Sequence, residues 1–493
     1  MMQGLPLIML PTREIPPQAL DVWARRCALK LEAGQRLLTL FGRVTEGDQV
    51  LTTAVLQDQD GNLRVLRGCG QRSESFPSLT VQYPAVQMFE RELWEQTGLT
   101  PTGHPWLKPV RFEGERQQRM NEYPFFTVRG PEVHEVGVGP IHASVIEPGH
   151  FRFMCHGEKV QHLEIQLGYQ HRAVEALLLQ RPPLALASLV ETIVGDSSIA
   201  YAWGYCAAVE ALSDAPAGVG VEQVRGVALE LERIAMHLGT LTGLATDIAF
   251  LQGGASYGRL RTAIINASMR ACGSRFGRGW LRPGGVRCAI NEELQQDLLA
   301  TLAAFARDFT EVNDLMLSAR SVQSRFRGAG VVSQKAAREI GLSGPVGRAS
   351  GVAFDTRASL PGRLYARHPV TLITEDSGDC WARMKIRMRE IEESLRWLQK
   401  VLQGPELKLA SAQPMLAGPL GAERLCVSVT EGFRGPVVQA LETGAHGQLL
   451  HYKVQDPSLQ NWFGLALAVR DNEISDFPIC NKSFDLSYCG NDL

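Results

Sequence analysis

The stretch Glu191-Thr-Ile-Val-Gly-Asp-Ser-Ser-Ile-Ala-Tyr201 sets a short polar turn in front of a helix-like segment. Such a turn usually marks backbone brought close to something bound. Its chemistry is sparse: the turn has no strong nucleophile, no soft-metal ligand and no general base with a visible partner. A second set of polar groups, Glu230, Arg233, His237 and Thr240, runs at three- and four-residue steps beside an apolar helical stripe. That line reads either as a solvated face with a Glu–Arg pair or as a polar interface facing a cofactor. Four histidines, His142, His150, His156 and His162, cluster in a strand-rich region. No two stand at i, i+4 ligand spacing, so they read as surface or hydrogen-bonded imidazoles. The ten cysteines are scattered singly without a C-x-x-C pair, as expected of reduced thiols and not of a disulfide framework or a metal centre.

The elements that must position these groups follow from patterning. A chain of 493 residues, 45% hydrophobic and 21% charged, has the composition of a globular protein with room for a large core. A net charge of −2 gives no bulk attraction to nucleic acid or an anionic membrane. No apolar run approaches the roughly 20 residues that span a bilayer. The N-terminus MMQGLPLIMLPTREIPP has no basic region ahead of its apolar run and reads as a leading strand, not a signal peptide. The predicted fold class is α+β. A small N-terminal α/β domain over 1–115 holds strands at Gln49–Leu56 and Leu63–Leu66 and a helix at Val86–Gly98. A linker over 116–127 leads to a large, mainly helical domain over 128–493. Its start alternates as a β-hairpin region, with Phe151, Phe153, Leu163, Ile165 and Leu167 on apolar faces. Long helices are predicted at Glu222–Leu251, Asn291–Arg320 and Asp379–Leu402. The glycine-rich Arg325–Asp355 reads as loops allowing tight turns around a buried site, and 405–493 as strand and turn.

Several stretches together resemble one family. Phe89-Glu-Arg-Glu-Leu-Trp-Glu-Gln-Thr-Gly98 with Gly103-His-Pro105 resembles the signature of the complex I 30-kilodalton subunit. Downstream come Gly139-Pro-Ile-His142, Glu147-Pro-Gly-His-Phe-Arg152, Gly168-Tyr-Gln-His-Arg172 with Glu175, and Glu230-Leu-Glu-Arg-Ile-Ala-Met-His237. Leu281-Arg-Pro-Gly-Gly-Val286, Gly344-Pro345 with Arg348-Ala-Ser-Gly351, and Glu431-Gly-Phe-Arg-Gly435 complete the set. In this order they resemble the large subunit of formate-hydrogenlyase-type (group four) nickel–iron hydrogenases and the 49-kilodalton subunit of respiratory complex I, with the 30-kilodalton-like domain fused in front.

The resemblance is informative where it fails. The family's hydrogenases hold nickel and iron with four thiolates from two C-x-x-C pairs, because soft metals take soft anionic ligands. The first pair falls on Val194 and Ser197, the second on Ser487 and Gly490, with Cys489 out of register. The resemblance therefore implies that this chain binds no metal or other cofactor of its own and has no hydrogenase activity. It implies instead an electron-transfer subunit of an NADH:quinone oxidoreductase-like, ion-translocating assembly. Electrons would pass from an iron–sulfur cluster in a small partner subunit to a quinone-like acceptor. The partners implied are that subunit and antiporter-like membrane subunits, with no nucleic acid. The place implied is the cytoplasmic face of the inner membrane, peripheral. Glu147 and His237 are expected to supply protons. His142, Gly195, Asp196, Ser197, Tyr201, Arg434 and Ser487 are expected to line the acceptor pocket, Tyr201 or Tyr205 standing in for the complex I quinone-binding tyrosine, whose position falls on Gly195. The alternative is a structural or coupling subunit of a formate-hydrogenlyase-like assembly, its old metal cavity filled.

Overall fold

Apolar residues at three- and four-residue steps build the helical scaffold of the computed structural model, which describes residues 4–113, 119–143, 146–405, 407 and 418–493. The chain opens on β1 (Leu7–Pro11), which pairs antiparallel with a strand more than 400 residues later, Leu7 opposite Ser428. The leading strand, expected in the small N-terminal unit, thus extends the C-terminal sheet. β2 (Gln18–Ala19), β3 (Arg36–Val44), β4 (Gln49–Gln57) and β5 (Leu63–Gln71) form the small unit's own sheet, ordered β2-β5-β4-β3. Its helices are α1 (Leu20–Glu32) and α2 (Gln87–Thr97). Phe89 and Leu93 of α2 are buried, and Gly98 ends the helix in the left-handed conformation that lacks a Cβ penalty. β6 (Ser75–Pro77) and β7 (Thr100–Thr102) pair beside it.

Residues 114–118, which include the start of the expected linker, lie outside the described residues. β8 (Val133–Val138), β9 (His150–His156) and β10 (Lys159–Gln166) then form an antiparallel sheet. α3 (Val174–Leu179) and α4 (Ala187–Val190) are short, and a 3-10 turn at Pro183–Ala185 precedes α4. α5 (Ser198–Leu212) is buried at all of its residues, because SIAYAWGYCAAVEAL is apolar on every side. α6 (Val219–Asp247) and α7 (Leu251–Cys272) replace the single helix expected to Leu251. The break falls at Ala249, at φ 57°, which ends α6 and redirects the chain.

β11 (Leu281–Arg282) and β12 (Gly285–Val286) make a tight ribbon before α8 (Glu292–Ser318). α8 is capped by Asn291, whose side chain accepts from Leu294 N–H. Short helices follow: α9 (Arg320–Phe326), α10 (Gln334–Glu339), α11 (Gly344–Ala349), α12 (Thr356–Ser359) and α13 (Arg363–Arg367). The glycine-rich segment expected as loops therefore holds α10 and α11. α14 (Cys380–Leu402) is capped by Asp379 and packs on α6. β13 (Arg424–Gly432), β14 (Gly435–Thr443) and β15 (Leu449–Gln455) complete the sheet ordered β1-β13-β14-β15. The tail, expected as strand and turn, is helical: α15 (Ser458–Ala468), α16 (Phe477–Phe484) and α17 (Tyr488–Asp492). No described helix is long and apolar enough to cross a membrane.

Candidate functional site

Three segments distant in sequence meet at one place: the tip of the β8–β9 connection, the 191–198 turn and the C-terminal tail. The tip is braced internally. His142 Nε2 donates to Gly149 O at 2.8 Å, and His150 Nδ1 lies 3.1 Å from Gly139 O. His156 pairs with Glu132 and His162 with Arg470, so all four histidines of this region are hydrogen-bonded. A Cβ on Gly149 would lie 2.8 Å from the Tyr488 ring, which seats the tip on the tail. Glu147 faces solvent from this tip. Packing against the tail nonetheless raises its carboxyl pKa. Burial is the main cause, and Asp196 adds to it, while Arg434 and the backbone N–H groups of Cys489 and Tyr488 oppose.

The turn is pinned from both ends. Glu191 accepts from Gly279 N–H at 2.8 Å, and Ser198 Oγ donates to Glu191 O at 3.1 Å. Gly195 is exposed and Asp196 half-buried, whereas Val194 and Ser197 are packed inside. Asp196 takes the Arg434 guanidinium in a bidentate pair, at 2.6 and 2.8 Å. Arg434 also donates from Nε to Asp485 O. Asp485 in turn holds Thr240 Oγ1 at 2.5 Å and Lys482 Nζ at 2.8 Å. The charges of Lys482 and Arg434 keep the Asp485 carboxyl far below the usual carboxylate range despite its burial. Gly344 underlies this arrangement, because a Cβ there would sit 1.9 Å from the Arg434 carbonyl oxygen.

The residues at the positions that the resemblance assigns to metal ligands do not fit a nickel–iron centre. Ser487 Oγ is occupied as the cap of α17, accepting from Gly490 N–H at 2.9 Å, and lies 3.3 Å from Cys489 Sγ. A side chain on Gly490 would enter Asp456, whose Oδ2 lies 2.6 Å from the Cβ position. Tyr201 is wholly buried and donates its hydroxyl to the same Asp456 oxygen at 2.5 Å. Tyr205 donates its hydroxyl to Pro183 O at 2.7 Å. Both phenols proposed to stand in for a quinone-binding tyrosine are thus committed to protein acceptors. Val194 offers no donor atom at all. Among the described residues no three His, Cys, Asp or Glu side chains are grouped to hold a metal ion.

Behind this meeting point lies a buried ionic network that the sequence only half revealed. Glu230 accepts from Arg233 at 3.0 Å, Arg357 at 3.0 Å, Tyr365 at 2.7 Å and Ser394 at 2.6 Å. These partners overcome its burial and lower its pKa to about 2. Glu390 accepts from Arg348 Nε and from His237 Nε2, both at 2.9 Å, and Arg348 reaches on to Glu431 at 2.9 Å. Arg233 donates to the Glu431 and Gly432 carbonyls, which ties the network to the strand end carrying Arg434. His237 is fully buried, with Arg387 Nη1 3.2 Å from its Nδ1. Burial, reinforced by Arg387 and Arg233 and opposed by Glu390, lowers its pKa to about 4. Both ring nitrogens of this residue, expected to supply protons, are therefore engaged, and the ring is neutral at pH 7. The missed partners Arg387, Glu390 and Ser394 recur at three- and four-residue steps on α14, a signal as regular as the one on α6.

Residues 18–124 match the family model of the 30 kDa subunit of respiratory-chain NADH dehydrogenase, and residues 254–419 that of its 49 kDa subunit. Formate hydrogenlyase subunit 5 of Escherichia coli (strain K12) is 28% identical over 446 residues, covering 84% of this chain and 76% of its own length. The fused C/D polypeptide of NADH-quinone oxidoreductase from Bacteroides thetaiotaomicron is 26% identical over 419 residues, 77% of each chain. A chain of the membrane-bound sulfane sulfur reductase, an archaeal respiratory membrane complex, superimposes with a TM-score of 0.66 at 22% identity. That match spans 73% of this chain and 99% of the other and shows the shared fold. The chain thus carries, in one polypeptide, regions that match the 30 kDa and the 49 kDa subunit families of respiratory-chain NADH dehydrogenase.

Proposed function

We propose that this chain is the acceptor-binding subunit of a complex-I-like, membrane-associated oxidoreductase. It passes electrons from an iron–sulfur cluster of a small partner subunit to a quinone-like acceptor in the pocket of hairpin tip, turn and tail. The observation that carries this reading is the convergence, where tip, turn and tail meet, of a solvent-facing carboxyl with a raised pKa and a fixed cation. A two-electron acceptor that becomes negative needs both a proton donor and a positive charge aimed at it. Glu147 is placed to pass a proton. Arg434, locked by Asp196 and the Asp485 carbonyl, supplies the charge without having to move. His237, neutral and sealed, keeps Glu390 and Arg348 in place and so positions the Glu431–Arg434 strand end. The structural relative from a membrane-bound respiratory complex supports membrane-subunit partners, and the position proposed for this chain is peripheral, at the cytoplasmic face of the membrane.

A structural or coupling role without an acceptor is the second reading, and Asp456 favours it by filling the space beneath Gly490. The two part on one experiment. In the purified complex, Glu147→Gln is expected to slow turnover with a short-chain quinone about 100-fold while leaving assembly intact. Turnover equal to the parent complex would refute the acceptor reading and leave the structural one.

A further inference from the structure

The small N-terminal unit reaches the C-terminal tail through a buried arginine. Arg111, near the end of that unit, is 3% exposed. Its guanidinium Nη1 donates to Glu92 of α2, and its own N–H donates to Glu95 of α2 at 2.9 Å. Glu92 is held in turn by Lys453 Nζ of β15 at 2.5 Å, and Lys453 lies 3.0 Å from Glu175 of α3. From this fixed base the Nε edge of Arg111 donates to Asn491 O, in α17, at 2.5 Å. A second line runs alongside. Glu113 Oε2 lies 3.5 Å from His171 Nε2, and His171 Nδ1 donates to Asp492 O at 2.8 Å. Gly168, at φ 99°, lets the chain pass between them, since a Cβ there would lie 3.2 Å from Arg111 Cα. The Gly168 and Gln170 N–H groups both donate to the Asp492 carboxylate at 2.8 Å.

The helix held in this way is the one on which the tip rests. Tyr488, its first residue, meets Gly149 of the tip and the Phe151 ring edge-on. With five residues, α17 is too short to hold its own place and depends on such anchors. We infer that Arg111 is a positioning residue of the acceptor site: by holding Asn491 O it fixes α17, and through Tyr488 the tip that carries Glu147. The N-terminal unit thus sets the geometry of the site without touching the acceptor. The effect on turnover rests on the acceptor reading above, whereas the strut itself is tested apart from it. Asp196, Arg434, Tyr488 and Cys489 are the titratable or charged groups facing Glu147, and only the last two move with α17.

The test uses the intact complex carrying Arg111→Lys. The lysine ammonium leaves a positive charge beside Glu92 but lacks the planar fork that also reaches Asn491 O. Hydrogen–deuterium exchange is read at the Asn491 and Leu493 amides, which donate to Ser487 O and Cys489 O. It is expected to quicken about tenfold or more there and to stay as in the parent on α2. With a short-chain quinone, kcat is expected to fall about tenfold at a KM within about twofold of the parent. The limb at which turnover falls with rising pH, as Glu147 loses its proton, is expected to move to lower pH. A loosened tail returns water to that carboxyl and so favours its charged form. Glu113→Gln, at a half-buried side chain on the second line, is the milder variant and decides by the same readouts if Arg111→Lys does not assemble. Tail exchange equal to the parent, or quickened on α2 alone, overturns the strut. Quickened tail exchange with unchanged kcat and pH limb overturns the positioning role. If Glu147→Gln is then impaired, the acceptor reading stands and the positioning role alone falls; if it too is unaffected, both fall.

Discussion

Replacing Glu390 by glutamine changes one oxygen for an NH2 group and removes one buried charge. The Oε1 position holds Arg348 and the Oε2 position holds His237 Nε2–H at 2.9 Å. A glutamine oxygen facing Arg348 turns its NH2 toward the His237 N–H, donor against donor. Shifting the His237 proton to Nδ1 only moves the conflict to Arg387 Nη1, 3.2 Å away. Removing one partner of a buried ion pair costs about 3–5 kcal/mol. An unfolding entropy of about 2.1 cal/mol/K per residue gives about 1 kcal/mol/K over 493 residues, so Glu390→Gln should lower Tm by about 3–5 °C. Calorimetry of the assembled complex at pH 7 measures it. A Tm within about 1 °C of the parent would refute the reasoning that Glu390 neutralises Arg348 and fixes the His237 tautomer.

The neighbouring imidazole gives a pH-dependent outcome. His237 has a pKa near 4 when folded and about 6.5 when unfolded, so between those values the unfolded state binds more protons. Stability from this group rises with pH across that window, is full above it, and changes by about 3 kcal/mol in all. His237→Gln should flatten that part of a urea-unfolding pH series, and an unchanged slope would count against a sealed, neutral ring. Gly344→Ala should displace the Arg434 carbonyl, which lies 1.9 Å from the new Cβ. Lost turnover with a stability decrease of at least about 1–3 kcal/mol is expected; a stable, active variant would contradict the packing. Restoring thiols with Ser487→Cys and Gly490→Cys should not create a nickel site, because the Gly490 side chain meets Asp456 at 2.6 Å. Stoichiometric nickel in that variant, measured by plasma emission spectrometry, would show the cavity to be open.

Local patterns carried much of this architecture into the sequence. The α2 helix was legible because Phe89, Leu93 and Gly98 place a buried face and a left-handed end at standard spacing. α8 and α14 fall within two residues of their predicted limits, each announced by a capping Asn291 or Asp379. α1 was passed over although Leu20, Trp23, Ala24 and Cys27 mark a buried stripe at three- and four-residue steps. What local pattern cannot hold is pairing over long separations. The leading strand joins β13, and Glu230 meets Arg357 across 127 residues. The polar line Glu230–Arg233–His237–Thr240 was visible, but only its neutralising partners on α14 and in the 348–357 segment decide that it is buried. Tyr201 shows the reverse error, since its spacing points toward the pocket while its hydroxyl is held by Asp456, 255 residues away. The helical tail was misread because α15–α17 are short and interrupted, leaving little periodicity to detect.

Photoaffinity labelling of the intact complex with an azidoquinone tests most directly whether an acceptor binds where Glu147, Asp196 and Arg434 converge. The account predicts label on peptides containing the 139–152 tip, the 189–205 turn or the C-terminal tail, suppressed by excess unlabelled quinone. Label confined to partner subunits, with none on these three segments, would contradict it.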